Sequence, residues 1–264
     1  MDQKILLHEV KGQGEPIVLV PGGLSGWLSW IPFAQRLSTE RKVVRVQLRS
    51  VELAEAAEPF PTDYGVLTER EALRATMDKL DLDSFDLAGW SHGGCVSLAF
   101  ALAYPERVRT LTLIEPEAFW ILRESGYDSD SLARAEADDR SWSRREISVR
   151  DLENFLARAG LGRPGDDFES LPQWPVWVRN RQVISILATL WDYTDSLERL
   201  GVLGVPVLAV KGSDTTDLDA AIVEELAAAV PQGRLLELPG GHACHIENID
   251  LFLEELAAHT VSAE

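Results

Sequence analysis

A chain of 264 residues, 45% of them hydrophobic, is long enough to bury a large core. Its net charge of −18 argues against nucleic acid or an anionic membrane surface as a partner, because both require clustered lysines and arginines. The two cysteines, Cys95 and Cys244, form neither a disulfide framework nor a pair with metal-ligand spacing. The sequence carries no recognisable secretory signal and no apolar window of about 18 residues, so we expect a cytoplasmic enzyme or binding protein.

Short apolar runs recur along the chain and predict buried strands. These runs are Ile17–Val20, Val43–Leu48, Phe85–Ala88, Thr110–Ile114, Pro206–Val210 and Leu235–Leu238. Segments with helical periodicity, such as Glu69–Leu80 and Val96–Ala103, separate most of the runs. This alternation predicts an α/β fold with a mostly parallel, doubly wound sheet of about seven or eight strands. Lys4–Val10 predicts an antiparallel strand at the edge of the sheet.

The alternation stops between residues 117 and 200, where helical periodicity predicts helices and no strand. Five of the eight tryptophans fall in this segment: Trp120, Trp142, Trp174, Trp177 and Trp191. We expect residues 1–116 and 201–264 to form the core of the protein. Residues 117–200 are expected to form a helical insertion over one edge of the sheet, whose aromatic side chains could line an apolar cavity.

The most informative motif is Gly89-Trp90-Ser91-His92-Gly93, which matches G-x-S-x-G. A predicted strand precedes the motif and a predicted helix follows it, as in a nucleophile elbow. The glycines leave room for a sharp, strained turn, which would present the hydroxyl of Ser91 at the carboxyl end of the sheet. Ser91 is therefore the candidate nucleophile.

A serine hydroxyl becomes a strong nucleophile only when a base accepts its proton, so the hypothesis requires a histidine nearby. Of the five histidines, His242 lies where a base is expected, in Pro239-Gly240-Gly241-His242 directly after the last predicted strand. His245 is the competing candidate. For His92 we expect the backbone N–H to take part, not the ring.

The histidine in turn needs a carboxylate that orients its ring. Asp214 is the favoured candidate because it stands nearest the end of the next-to-last predicted strand. Glu115, at the end of the strand Thr110–Ile114, is an alternative, and Asp217 is a third. Asp217 also fits a negative charge at a helix N-terminus.

Acyl transfer also needs backbone donors for the oxyanion that forms on the attacked carbonyl. The stretch Val20-Pro21-Gly22-Gly23-Leu24 exposes its backbone after the first central strand. We expect the N–H of Gly23, or of neighbouring Leu24, to form this oxyanion hole with the N–H of His92. The stretch lacks the lysine and spacing of a phosphate-binding loop, and the sequence predicts neither a metal nor a cofactor.

With the serine elbow, a later acid and a still later histidine in this order, the sequence resembles the α/β-hydrolase fold family. The resemblance covers the strand and oxyanion loop (residues 14–22), the elbow (89–94), the acid strand (205–214) and the histidine loop (238–242). Residues 117–200 are similar to the cap domain of that family. The sequence departs from the family in having Pro21-Gly22 where many members have histidine-glycine. It also has residues 46–51 where many have Asp-x-Arg-Gly-His-Gly.

The resemblance implies a serine hydrolase that cleaves a carboxylic ester, thioester or lactone of a small to medium apolar substrate through an acyl-enzyme. Two alternatives remain open at this stage. One is hydrolysis or lysis of a carbon–carbon bond by the same three residues, and the other is a receptor that binds a small ligand without turnover. The expected partner is a small-molecule substrate, and the oligomeric state is left open.

Overall fold

Seven strands form one sheet in the computed structural model, which describes residues 5–162 and 166–261. The strands are β1 (His8–Lys11), β2 (Pro16–Val20), β3 (Lys42–Val46), β4 (Phe85–Trp90), β5 (Val108–Ile114), β6 (Val207–Gly212) and β7 (Gly233–Leu238). Their order across the sheet is β1-β3-β2-β4-β5-β6-β7. Only β1 runs antiparallel, on β3 at one edge, so the predicted mostly parallel sheet is confirmed. The predicted edge strand began at Lys4, which lies outside the described residues.

Helices connect the strands and cover the sheet. They are α1 (Ile31–Leu37), α2 (Arg49–Glu55), α3 (Val66–Lys79), α4 (His92–Ala103), α5 (Trp120–Ser125), α6 (Ser129–Ser141), α7 (Val149–Arg158), α8 (Trp174–Asn180), α9 (Ala188–Asp192), α10 (Leu197–Gly201), α11 (Asp217–Ala229), α12 (Cys244–Glu247) and α13 (Ile249–Val261). Short 3-10 segments lie at Gly26–Trp30, Pro105–Arg107, Phe168–Ser170 and Arg181–Ile186.

Both faces of the sheet are buried, which explains why its strands are continuous apolar runs. Alternate residues of β2 show the division. Ile17 and Leu19 pack in one cluster with Phe252 of α13, whereas Val18 and Val20 belong to a second, larger cluster that includes α4. The sheet therefore has helices on both faces, as the sequence predicts.

Between β5 and β6 the described residues contain helices and no strand. Helices α5 and α10 contact α11 beside the sheet, whereas α8 and the 3-10 segment Arg181–Ile186 contact α2. Two hydrogen bonds tie this helical segment to the loop after β2. Trp177 Nε1 donates to Ser25 Oγ at 2.9 Å, and Asn180 Nδ2 donates to the carbonyl of Leu24 at 2.8 Å. None of the described helices combines the length and the apolarity that crossing a bilayer requires.

Candidate active site

Ser91 occupies the sharp turn between β4 and α4. Its backbone has φ 56° and ψ −123°, in the left-handed half of the map that residues other than glycine rarely adopt. The flanking glycines are required because neighbouring atoms leave no space for a side chain at either position. A Cβ at Gly89 would lie 2.3 Å from Ser97 Oγ, and one at Gly93 would lie 2.3 Å from the carbonyl oxygen of Pro21. The side chain of Ser91 is thereby held at the carboxyl end of the sheet, as predicted from the motif.

His242 follows β7 and lines the same pocket as Ser91. Its backbone is fixed on two sides, because its carbonyl accepts a hydrogen bond from Trp90 Nε1 at 2.9 Å and its N–H donates to the carbonyl of Gly160 at 3.4 Å. The residue is 3% exposed. Its ring nitrogen Nδ1 is 2.7 Å from Oε2 of Glu115. The structure thus brings together the predicted nucleophile, the predicted base and a carboxylate.

That carboxylate is Glu115, the alternative candidate, so the expectation that Asp214 orients the histidine is corrected. The chain turns outward after β6. The N–H of Asp214 donates to the carbonyl of Gly240 at 2.8 Å, and its exposed carboxylate lies 3.5 Å from the hydroxyl of Ser213. Asp217 is also exposed and is the first residue of α11, in keeping with its interpretation as a helix N-terminal charge.

Glu115 is fully buried and accepts three hydrogen bonds. Besides His242, its donors are the N–H of Gly212 and the hydroxyl of Thr215, each at 2.7 Å. The loop that was expected to supply the acid therefore supplies donors to it. Burial acts to raise the pKa of Glu115, but the hydrogen bond and charge of His242, together with these donors, lower it below its usual value. The φ of Glu115 is 41°, so its backbone, like that of Ser91, is strained.

The contact between Glu115 and His242 also changes the pKa of the His242 imidazole. Burial alone would lower the pKa of His242, but the hydrogen bond and charge of Glu115, with the charges of Asp219 and Glu117, raise it to about 9. The imidazole therefore holds a proton at neutral pH in the unliganded protein. It can accept the proton of Ser91 only after losing its own.

The two predicted oxyanion donors, Gly23 and His92, line the pocket of Ser91. They lie side by side, since a Cβ at Gly23 would be 3.9 Å from Nδ1 of His92. His92 is the first residue of α4, so its N–H lies at the positive end of the helix dipole. Both ring nitrogens of His92 are buried without a hydrogen-bond partner in the described structure, and burial lowers the pKa of the ring to about 4.

His245, the competing base, does not line the pocket of Ser91. Its ring packs among Trp30, Phe33 and Phe252, with ring centroids between 5.3 and 5.7 Å apart. Burial, with a contribution from the charge of His242, lowers the pKa of His245 to about 3. It is a neutral core residue.

The cavity at Ser91 is narrow, about 30 Å³. The chain between β5 and β6 closes it with apolar side chains, which are Phe155, Leu161, Val183, Ile184 and Leu187. A second cavity of about 260 Å³ adjoins it and shares four of its lining residues, Glu117, Phe155, Leu187 and His242. We call this second space the acidic cavity, because Glu117, Asp138, Asp139 and Asp219 also line it. Of the five tryptophans predicted to lie in the insertion, Trp191 lines the acidic cavity.

Glu117 is the functional candidate that the sequence analysis missed. Its Oε1 lies 3.4 Å from the hydroxyl of Ser91, and its Oε2 is buried with no hydrogen-bond partner among the residues described. Burial is the main cause that raises its pKa, to about 7. The available signal was its place in Glu115-Pro116-Glu117, where β5 ends at the same rim as the elbow.

A cluster of potential metal ligands also occurs in the described part of the chain, formed by Glu115, Asp219 and His242, whose ligand atoms lie within 4.8 Å of one another. The imidazole nitrogen Nδ1 and the Glu115 carboxylate already bind each other at 2.7 Å. We therefore interpret the group as a carboxylate that orients an imidazole.

Comparison with known proteins agrees with the fold. The model of a protein family described as "alpha/beta hydrolase fold" matches residues 15–158. The 2-hydroxy-6-oxo-2,4-heptadienoate hydrolase of Pseudomonas putida is 40% identical over 111 residues, which are 41% of this chain and 39% of that protein's length. The "Putative carbamate hydrolase RutD" of Klebsiella pneumoniae is 26% identical over 245 residues, 90% of this chain and 89% of the relative.

Solved structures share the fold over almost the whole chain. A thermophilic esterase from Thermogutta terrifontis superposes with a TM-score of 0.79 at 22% identity, covering 98% of this chain and 93% of the esterase. The meta-cleavage product hydrolase CumD of Pseudomonas fluorescens superposes with a TM-score of 0.73 at 17% identity, covering 97% and 94% of the two chains. At these identities the likeness concerns the fold.

Proposed function

Because the chain belongs to the α/β-hydrolase fold family and is a hydrolase of that fold, we propose that it cleaves an ester-type acyl bond with Ser91 as the nucleophile. The observation that carries this proposal is the 2.7 Å contact between Nδ1 of His242 and buried Glu115, in a pocket that also contains Ser91. A carboxylate on one ring nitrogen leaves the other nitrogen to serve the serine.

In the proposed mechanism the hydroxyl oxygen of Ser91 attacks the carbonyl carbon of the substrate while His242 Nε2 takes the hydroxyl proton. Glu115 remains ionised and stabilises the imidazolium. The N–H groups of Gly23 and His92 donate to the oxyanion of the tetrahedral intermediate, beside the N-terminus of α4. The imidazolium then protonates the leaving group, which departs and leaves an acyl-Ser91. Water, activated by the same imidazole, hydrolyses this ester.

The bond that we favour is a carboxylic ester, thioester or lactone, and we add carbamates to this class. Two comparisons support an acyl oxygen or nitrogen leaving group. The relative that covers most of this chain is named as a carbamate hydrolase, and the fold neighbour with a TM-score of 0.79 is named as an esterase. All of these substrates have a carbonyl carbon for Ser91 to attack.

Hydrolysis of a carbon–carbon bond is the second candidate. It is favoured by the 40% identity to the heptadienoate hydrolase over 111 residues, which is the strongest local match described above. The substrate in that relative's name is a carboxylate. The carboxylates of the acidic cavity would repel such an anion, so we rank this candidate below ester-type hydrolysis.

The experiment is turnover of p-nitrophenyl acetate and butyrate, a lactone, a carbamate and a vinylogous β-diketone acid by the wild-type protein and by Ser91→Ala. We expect the wild type to hydrolyse at least one of the first four, and Ser91→Ala to lose on the order of 10⁴-fold in kcat. The control is Ser170→Ala, at an exposed serine in the helical segment, which keeps full activity. Equal turnover by Ser91→Ala would contradict the proposal, and turnover of the diketone acid alone would favour the second candidate.

A further inference from the structure

The cavity above Ser91 is too small for a substrate's whole bulk, so the adjoining space decides which substrate fits. At about 30 Å³ the first cavity holds little more than a reacting carbonyl, whereas the acidic cavity next to it has about 260 Å³. Glu117, Phe155, Leu187 and His242 line both cavities. The acidic cavity is therefore the space next to the reacting carbonyl.

The charges that line the acidic cavity do not balance. Glu117, Asp138, Asp139 and Asp219 face two cationic side chains, Arg158 and the protonated His242. Each cation already has a carboxylate partner, because Arg158 forms an ion pair with Asp139 and His242 with Glu115. Asp219 accepts a hydrogen bond from its own helix cap, Thr216. Glu117 faces His242, Asp139, Asp219 and Arg158, and no side chain from any of these elements satisfies its Oε2 in the described structure.

The rest of the cavity wall is mostly apolar and includes three aromatic rings. The rings of Phe119, Phe155 and Trp191 line it, and Phe119 and Trp191 are stacked with centroids 3.9 Å apart. Aromatic rings attract organic cations electrostatically, and ionised carboxylates next to such rings add to this attraction. An anion or a neutral alkyl group would gain neither contribution.

We propose that the acidic cavity binds an organic ammonium group of the substrate, with Glu117 as its main counter-ion. This inference rests on the hydrolase activity proposed above, and it narrows the substrate class to esters or carbamates that carry a positive charge close to the scissile carbonyl. Glu117 reaches both the cavity and the hydroxyl of Ser91, so the ammonium group and the attacked carbonyl belong to neighbouring parts of one molecule.

The bound cation would also prepare the base. Glu117 and Asp219 are among the groups that raise the pKa of His242. An ammonium group beside these carboxylates offsets their charge, which lowers the pKa of the imidazole and frees it to accept the proton of Ser91. A positive charge on the substrate therefore increases the rate of the reaction step as well as the affinity of binding.

The test is a pair of acetate esters of equal shape, the choline ester and the 3,3-dimethylbutyl ester, which differ in the positive charge. We expect the wild type to prefer the choline ester by about tenfold or more in kcat/KM at pH 8. In Glu117→Gln the ratio of the two kcat/KM values falls to about one, because the choline ester loses its counter-ion. Glu198→Gln removes the same charge from an exposed position on α10 and should keep the wild-type preference.

A wild type that hydrolyses the neutral ester without preferring the choline ester would overturn this inference and leave the proposed function intact. An equal loss of both activities in Glu117→Gln would overturn it as well, since the residue would then act on the nucleophile alone. If neither acetate is a substrate, tetramethylammonium chloride is compared with sodium chloride at equal ionic strength in thermal unfolding. We expect tetramethylammonium to raise the Tm of the wild type and not that of Glu117→Gln. Equal Tm values in the two salts would contradict the inference.

Discussion

Glu115 at the rim of the sheet is fully buried, whereas Glu117 in the acidic cavity is half-buried, and of the two only Glu115 has hydrogen-bond donors to both of its oxygens. Glu115 accepts bonds from Gly212, Thr215 and His242, each at 2.7 Å. Glu117 has one contact of 3.4 Å with Ser91 and an oxygen without a partner among the described residues. Two carboxylates that are two residues apart therefore have different tasks.

A saturated carboxylate is rigid and holds one geometry, which is what orienting an imidazole requires. A buried carboxylate oxygen that lacks a hydrogen-bond donor reduces the stability of the protein unless a ligand supplies that donor. This difference supports our proposals that the rim positions His242 and that the acidic cavity binds the substrate. Four predictions test this division, beginning with the largest effect.

The first prediction concerns the rim. Glu115→Gln removes the charge and the acceptor that hold the tautomer of His242, so we expect kcat to fall on the order of 10³-fold to 10⁴-fold. Asp214→Asn is the matched control at the residue that the sequence favoured, and it should stay within about twofold of the wild type. The measurement is kcat of both variants and of the wild type, from steady-state kinetics on the ester that the wild type hydrolyses fastest. A large loss in Asp214→Asn with an active Glu115→Gln would reverse the assignment.

The second prediction concerns the stability cost of Glu117. Its pKa of about 7 in the folded protein lies above the usual 4.5, so the folded state binds this proton more tightly than the unfolded state does. The stability that this proton contributes is present below pH 4.5 and is lost as the pH rises to about 7. The free energy of unfolding of Glu117→Gln should therefore be larger than that of the wild type by about 1 to 3 kcal/mol at pH 8, and nearly equal to it at pH 4. Urea unfolding at both pH values measures this difference, and an equal difference at the two would refute it.

The third prediction concerns pH dependence. With a neutral ester, kcat/KM should rise with pH as His242, with a pKa of about 9, loses its proton. Removing the charge of Glu117 lowers this pKa, so the rising limb of Glu117→Gln should shift by about half a unit to one unit towards lower pH. A role of Glu117 in packing alone would leave the midpoint of the profile unchanged.

The fourth prediction has the smallest effect. Thr215→Val removes one of the three donors to Glu115, and we expect kcat to fall by about threefold to tenfold with KM unchanged. Ser213→Ala, at an exposed residue in the same loop, is the control. A change in KM without a change in kcat would place Thr215 in substrate binding.

Local sequence predicted much of this molecule because the elbow and the histidine loop are local features. Gly89 and Gly93 have backbone neighbours that a side chain would overlap, so a five-residue motif was enough to locate Ser91. The choice of acid was not local. β5 and β6 are parallel neighbours whose ends are level, with Ile114 opposite Val210, so Glu115 and Asp214 both follow strands that end at the same rim.

What separates the two acids is the path of the chain after each strand. The positive φ of Glu115 turns its side chain back into the protein, whereas the hydrogen bond from the N–H of Asp214 to the Gly240 carbonyl leaves that side chain exposed. The position of Glu117 in the acidic cavity depended on packing against the helical segment. Apolar periodicity predicts that these helices exist, not which side chains they place over Ser91.

The most direct test of the account is the rate at which a fluorophosphonate probe labels the protein, with the modified residue identified by mass spectrometry. We predict a single label on Ser91 in the wild type and in Asp214→Asn, formed at similar rates, and labelling at least about 100-fold slower in Glu115→Gln. A label on another residue, or equal labelling of Ser91 in Glu115→Gln and the wild type, would contradict the claim that Glu115 and His242 activate Ser91.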